Sequence, residues 1–455
     1  MRSNNRRPSV PKEPQVLHIG KLSHEGRGIA HHEGKVVFVD GALPGEDVLV
    51  KFTSSKGSYA EAVCEQIITP AVERVTPVCP FFSMCGGCSL QHYASASQLL
   101  FKESMLHERL QHAISNSTYE KLPALHGDAF AYRRKARLAV RFVVKKGKAL
   151  VGFREQHSKF ITDMDSCVIL DAAISAILPM LSALISALRS NELIPQVEVA
   201  VGDMVSGASS YALIFRHLQD LVREDIDELI AFGQLHGMDI YLQPKGLESV
   251  HKLFPEQTPE RLYYRLPEFN LELAFHPLDF TQVNAGINRL MVSKAIALLE
   301  LTANDRVLDL FCGLGNFTLP IATLAAHVTG VEGAVTMVER GEENAARNNI
   351  SNATFLCADL FLPPAQHSWL QQGFDKVLLD PPRSGAQEVL PAIIAARPRR
   401  IVYISCNPAT LARDAAVLVA QGYKLQAAGA MDMFPQTSHV EAMALFIPDP
   451  DFRGR

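Results

Sequence analysis

Cys406 closes the apolar run "RIVYISC" and is followed by Asn407 and Pro408. Asn is a favoured helix N-cap and Pro a favoured first helical residue, so a helix is expected to start here. A thiol beside a helix N-terminus sees positive potential, which is expected to lower its pKa and make it a nucleophile. Cys312 and Cys357 also close apolar runs, so position alone does not single out Cys406. The companions do. "FPQTSHVEAMALF" brings His439 and Glu441, and Glu441 opens another apolar run, where its carboxylate can serve as a general base. "LLDPPRSG" ends a further run with Asp380, two prolines that stiffen an extended loop, and Arg383. Thiol, carboxylate and flanking ion pair together form a set suited to covalent catalysis.

A second set suits a nucleotide-like cofactor. "VLDLFCGLGNFTLPIA" reads as a buried strand, a glycine turn and a helix start, with Gly313 and Gly315 allowing a ligand close to the backbone. Glu332 closes the next apolar run, "HVTGVE", and is placed to bind ribose hydroxyls. Asp359, in "CADLF", falls where a third strand ends, near an adenine. NAD and S-adenosylmethionine both fit this frame. Thr318 stands where the pyrophosphate-binding pattern needs a third glycine, and Asp309 suits a cationic amino-acid group. Both points favour S-adenosylmethionine.

A third set is metal-like. Cys79, Cys85 and Cys88 follow a C-x5-C-x2-C spacing, and Cys167 stands in "DMDSCVIL". Zinc and an iron–sulfur cluster both accept four thiolates, and spacing does not choose between them. The spacing is longer than the C-x3-C-x2-C of radical enzymes.

These residues need elements to hold them. From about residue 280, short apolar runs alternate with Ala-rich helical stretches, the βαβ rhythm of a parallel, doubly wound sheet. Residues 16–68 read as closely spaced short strands, with Val36–Val39 and Val48–Phe52 the clearest, and suggest a small OB-like barrel. A helix is expected over about Ala94–Ile114, and an Ala/Leu-rich helix interrupted by Pro179 further on. Net charge is −4, which gives no global support for a nucleic-acid partner. Locally, "YRRKARLAVRFVVKKGK" holds eight Lys/Arg and no acid, the pattern of a polyanion-binding ribbon. No apolar run reaches the length of a membrane span. "MRSNNRRPSVPKEPQ" lacks the apolar core of a signal sequence and reads as a disordered tail. A cytoplasmic protein with no membrane partner is expected.

"DPPRSG", "YISCNPATLARD", "DMFPQTSHVEAMALF", "FTQVNAGIN" and "FCGLGNF" together resemble the RNA uracil-C5 methyltransferase family. The resemblance extends over most of the chain. It implies that Gln282, Phe311, Asn316, Glu332, Asp359 and Asp380 contact S-adenosylmethionine, that Cys406 is the nucleophile and that Glu441 is the base. It also implies a [4Fe-4S] cluster on Cys79, Cys85, Cys88 and Cys167, as in the ribosomal-RNA members. The N-terminal module, with "GALPGE", resembles a TRAM domain. The architecture implied is multidomain: a disordered tail at 1–14, a TRAM (OB-like) β-barrel at 15–75, a central α+β domain with the cluster and ribbon at 76–275, and a class I, Rossmann-like α/β methyltransferase domain at 276–455. The partner implied is 23S rRNA with a flipped uridine, met by a monomer. Gln436 departs from the pattern, standing where many members carry His. A different class also weighed is an RNA-binding iron–sulfur protein without catalysis, which leaves the cofactor turn, Cys406 and Glu441 without a reason. A uracil-C5 methyltransferase acting on another RNA, such as tRNA, is the nearer alternative.

Overall fold

The computed structural model describes residues 13–115, 117–204, 206–362 and 368–452. The expected tail lies, up to residue 12, outside the described residues. The chain divides into two compact units, Met1–Lys102 with Phe434–His439, and Glu103–Met433 with Val440–Arg455.

The first unit is built on six strands: β1 (Gln15–His18), β2 (Lys21–Leu22), β3 (Gly28–His32), β4 (Lys35–Asp40), β5 (Asp47–Ser55) and β6 (Tyr59–Thr69). They form one sheet in the order β1-β5-β6-β4-β3-β2. Strand β1, at one end of that order, touches β3 near the other, so the sheet curls over Leu17, Ile19, Val37, Val39, Val48 and Val50. The alternating apolar pattern of β5 supplies this inner face. Glu46, from "GALPGE", is fully buried. Its carboxylate accepts from Leu43 N (2.8 Å), Ala71 N (3.2 Å) and Arg74 Nε (2.5 Å) and so pins the turn to the segment after β6. Gln436 is buried in the same unit, where its Oε1 accepts from Gln98 Nε2 (3.0 Å) and its backbone N donates to Gln98 Oε1 (3.0 Å). The glutamine therefore has a structural partner of its own.

Helix α1 spans Ser95–Ala113, one residue inside each expected end. In the second unit, β7 (Glu120–Lys121) precedes a mixed sheet of β8 (Lys135–Val143), β9 (Lys148–Gly152), β10 (Gln196–Asp203), β11 (Ser209–Arg216), β12 (Asp239–Gln243) and β13 (His251–Phe254). Its order is β13-β12-β11-β10-β8-β9. Pro179 does not kink one helix: it sits in the first turn of α3 (Leu178–Ala187), after α2 (Ala172–Ala176) has ended. Helix α4 covers Arg223–His236, and β14 (Leu262–Leu266) pairs with β15 (Leu271–Phe275).

The basic ribbon lies on β8 and β9, and here the fold changes the reading. The ribbon itself holds no acid, but β10 supplies two and the loop after β9 a third. Arg134 pairs with Asp203, Arg137 with Glu198 (3.1 Å), and Lys146 and Lys148 both with Asp163 (2.9 and 2.7 Å). Arg141 and Lys145 remain exposed.

The third sheet runs in the order β18-β17-β16-β19-β20-β22-β21-β7. Its elements are α5 (Ala285–Leu299), β16 (Arg306–Leu310), α6 (Thr318–Ala322), β17 (His327–Glu332), α7 (Val335–Arg347), β18 (Ala353–Cys357), β19 (Lys376–Leu379), α8 (Leu390–Ala396), β20 (Arg400–Ser405), α9 (Pro408–Ala420), β21 (Tyr423–Met431) and β22 (Glu441–Pro448). Strands β16–β20 are parallel, and the inner ones β16, β19 and β20 are buried almost throughout, as strands covered on both faces must be, while β18 is the exposed edge. The expected all-parallel sheet is modified at one side. Strand β22 follows β21 without a crossover helix, so it pairs antiparallel to β21 and inserts beside β20, again antiparallel.

Candidate active site

The site residues converge at the C-terminal edge of the parallel strands, where open α/β sheets bind ligands. Asp309 is fully buried near the end of β16. Its Oδ2 accepts from Thr318 Oγ1 (2.6 Å), while Oδ1 has no hydrogen-bond partner among the described residues. Burial, aided by the charges of Asp380 and Glu332, pushes this carboxyl up to about 7 against the pull of Thr318. The turn that follows is left-handed at Phe311, Gly313 and Gly315, with φ of 62°, 54° and 97°. At Gly315 a Cβ would stand 3.1 Å from Leu319 and 3.2 Å from Phe355, so glycine is required.

Glu332 at the end of β17 is tied down at both oxygens, accepting from Gly313 N (3.1 Å) and Ala334 N (3.0 Å). Those bonds orient the carboxylate beside the turn and leave further lone pairs for a ribose. Asp359, exposed after β18, accepts from Phe361 N (3.0 Å). Phe311 and Phe361 face each other with ring centroids 6.0 Å apart. Phe361 was not legible as a site residue, because only the turn after β18 brings its ring to Phe311.

Asn316 is held by two residues to which the sequence gave no role, although Asn288 ends "FTQVNAGIN". It exchanges hydrogen bonds with Asn288 on α5 (2.9 and 3.0 Å) and accepts from Tyr264 Oη (2.9 Å). Gln282 lines a cavity with Asn288, Tyr264 and the cations Arg134, Lys135, Arg265 and Arg289. Asn288 and Tyr264, which line that cavity with Gln282, thus carry the hydrogen bonds that hold Asn316.

Cys406 leaves β20 and leads into α9. Asn407 caps that helix by accepting from Ala409 N (3.1 Å), with Pro408 next. The register then brings Glu441 to Cys406. Ser405 pairs with Ala442 in the antiparallel ladder, so the next positions on the two chains are Cys406 and Glu441. Glu441 is buried. Asp380 follows β19 directly, and burial pushes its carboxyl up to about 7. The helix terminus does not lower the thiol pKa as expected. Burial, then the charges of Glu441 and Asp380, push it up to about 11, with Arg383 opposing. Two carboxylates in a partly desolvated site outweigh a helix end. Cys312 is buried within the turn and its thiol is pushed well up by burial, while Cys357 lies exposed, so neither shares the environment of Cys406.

The other cysteines are placed as follows. Cys79 and Cys85 are buried and Cys88 half-buried in the first unit, and Cys167 is buried in the second. Among the described residues, no group of three or more His, Cys, Asp or Glu is arranged to hold a metal ion. The donor chemistry nevertheless suits one: Gly87 N donates to Cys85 Sγ (3.4 Å), a contact that favours a thiolate.

A family model described as tRNA (Uracil-5-)-methyltransferase matches residues 97–361 and 367–447, which include every candidate active-site residue. The chain belongs to this family. A TRAM domain model matches residues 15–64. Full-length relatives of the methyltransferase include a protein of Hahella chejuensis named 23S rRNA (uracil(1939)-C(5))-methyltransferase RlmD, 50% identical over 97% of this chain and 99% of that one. One of Alkalilimnicola ehrlichii with the same name is 51% identical over 97% and 98%. The fold is also that of the Pyrococcus abyssi tRNA (uracil-54, C5)-methyltransferase solved with S-adenosyl-L-homocysteine, at 24% identity and a TM-score of 0.72, covering 95% of this chain and 99% of that one. Cys79, Cys85 and Cys88 fall between the two matched stretches, in a segment that the full-length relatives span.

Proposed function

We propose that this uracil-5 methyltransferase converts one uridine of 23S rRNA to 5-methyluridine, using Cys406 as nucleophile and Glu441 as base. The observation that carries the residue roles is the β20–β22 register, which sets a buried carboxylate opposite the thiol at the cofactor edge. The RNA assignment rests on the full-length relatives.

Carbon 5 of uracil is a weak nucleophile. Cys406 adds its sulfur to carbon 6, and the electron pair of the 5,6 double bond moves toward the carbonyl as an enolate. S-adenosylmethionine, when bound, supplies an electrophilic methyl group to carbon 5. Glu441 then takes the remaining proton from carbon 5, the 5,6 double bond re-forms, and the sulfur of Cys406 leaves with its electron pair. Asp380 and neighbouring donors orient the base or steady the enolate. Gln282, Phe311, Asn316, Glu332 and Asp359 hold the methyl donor. The target uridine leaves its stack to reach the thiol, the exposed end of the ribbon and aromatic groups hold splayed RNA, and the TRAM domain adds backbone contacts.

We also propose that Cys79, Cys85, Cys88 and Cys167 carry a [4Fe-4S] cluster of structural role, and that the chain works as a monomer in the cytoplasm. What supports the cluster is the thiol-rich donor set with its N–H···S contact.

The decisive experiment maps 5-methyluridine in 23S rRNA from a deletion strain with and without complementation. One uridine should lose and regain its methyl group; an unchanged rRNA map sinks the substrate assignment. In vitro, 5-fluorouridine RNA has no proton to remove at carbon 5 and should trap the adduct with the wild type. Cys406→Ala should form none, whereas Glu441→Gln should accumulate adduct on ordinary RNA.

A further inference from the structure

The "DPPRSG" loop and the helix that follows Cys406 are joined by a set of bonds that the reaction itself does not use. Asp414, on the second turn of α9, is fully buried. Its Oδ2 accepts from Ala386 N (2.8 Å), just past the loop, and from Tyr403 Oη (2.7 Å), three residues before the nucleophile. Its Oδ1 pairs with Arg413, at 2.8 Å from Nε and 2.7 Å from Nη2. The same Nη2 donates to Ser384 O (2.8 Å), and Asn407 Nδ2 donates to Arg383 O (3.2 Å). Gly385 closes the arrangement. Its φ is +83°, and a Cβ there would lie 2.5 Å from Arg413 Nη2 and 2.6 Å from Asp414 Oδ2. Three of these bonds, at Ala386 N, Ser384 O and Arg383 O, join the segment that carries Cys406 to the segment that carries Asp380 and Arg383, and those from Tyr403 and Arg413 fix Asp414 within its own segment.

A buried carboxylate is costly unless paired, so a fold retains one where its geometry matters. Nothing else in the helix requires an acid at this point. We infer that Asp414, clasped by Arg413, is a positioning residue that sets the "DPPRSG" loop against Cys406 and thereby governs formation of the covalent bond to the base, not the binding of the methyl donor. This rests on the proposed role of Cys406. The clasp holds Ser384, the residue next to Arg383, whose own carbonyl is held by Asn407 and which is the neighbouring cation that favours the thiolate, while Asp380 is anchored separately by its own N–H to Leu310 O (3.2 Å). Loosening the clasp therefore frees Ser384 and, through it, the adjacent Arg383, while the backbone anchor of Asp380 stays in place.

The test uses the full chain with S-adenosylmethionine and 5-fluorouridine RNA. Asp414→Asn keeps the shape but turns an amide donor toward Arg413. Adduct formation should slow by roughly tenfold to a hundredfold, the scale of a small misplacement of reacting groups. The dissociation constant for S-adenosylmethionine should stay at the wild-type value. The pH midpoint for alkylation of Cys406 in the RNA-free protein should move to higher pH. Arg413→Lys, which keeps the charge and loses the fork, should fall between. Wild-type adduct rates and an unmoved alkylation profile in both variants overturn the inference, as does a loss of S-adenosylmethionine affinity in step with the adduct rate. Should Asp414→Asn fail to fold, Arg413→Lys alters only an exposed side chain and reads out the same quantities. If the wild type forms no adduct, the role of Cys406 falls instead, and the alkylation profile still scores the clasp.

Discussion

Cys406 sits among charges that oppose its ionisation. With its thiol held near 11, only about one molecule in a thousand carries the thiolate at pH 8. The methyl donor can change this. Its sulfonium is a cation that must come close to the reacting carbon, and a nearby positive charge favours the thiolate. S-adenosylhomocysteine has the same shape but a neutral thioether. Iodoacetamide should therefore alkylate Cys406 faster in the presence of S-adenosylmethionine than of S-adenosylhomocysteine. Steric shielding is common to both ligands, so equal rates would show that the sulfonium does not act on the thiol.

At the scale of the elements, the strand ends carry a carboxyl pair with a shared property. Asp309 and Asp380 are both pushed up to about 7. For a carboxyl whose folded pKa lies above its unfolded one, the folded state binds the extra proton. The stability this confers is complete below about pH 4 and is lost as pH rises through about 7. The melting temperature of Asp309→Asn, which cannot ionise, should accordingly gain on the wild type between pH 5 and pH 8. A difference that stays flat over that range would mean that Asp309 does not titrate near pH 7 in the folded protein. Donor binding brings positive charge to the same edge, so it should offset part of the wild-type loss.

Across the molecule, the basic ribbon and the cysteine set bear on RNA binding and on metal content. Because Arg134, Arg137, Lys146 and Lys148 are engaged with acids, fewer phosphates are neutralised than the eight basic residues imply, and the salt dependence of RNA binding should be correspondingly shallow. An anaerobic preparation should contain about four iron atoms per chain, with the visible absorption of a cluster bound by four thiolates. Cys167→Ser should lower that iron content. Stoichiometric zinc without iron would overturn the cluster assignment.

Much of this protein was legible in local pattern. The parallel strands, the glycine turn, the cap at Asn407 and the types of the reacting groups follow from hydrophobic runs, backbone preferences and side-chain chemistry, all of which act within a few residues. Gly313 and Gly315 announce a left-handed turn because other residues are strained there. What tertiary structure alone decided depends on distant segments. The insertion of β22 beside β20 set Glu441 opposite Cys406. The same crowding reversed the expected shift of the thiol, since two carboxylates from other strands and burial outweigh the helix end. Tyr264 carried no local signal, and Asn288, Phe361 and Asp414 stood within the quoted motifs without a role, because each matters only through the partner that the fold brings to it. The acids that neutralise the ribbon were equally hidden: ion pairing falls off with distance in space, and the sequence shows only distance along the chain.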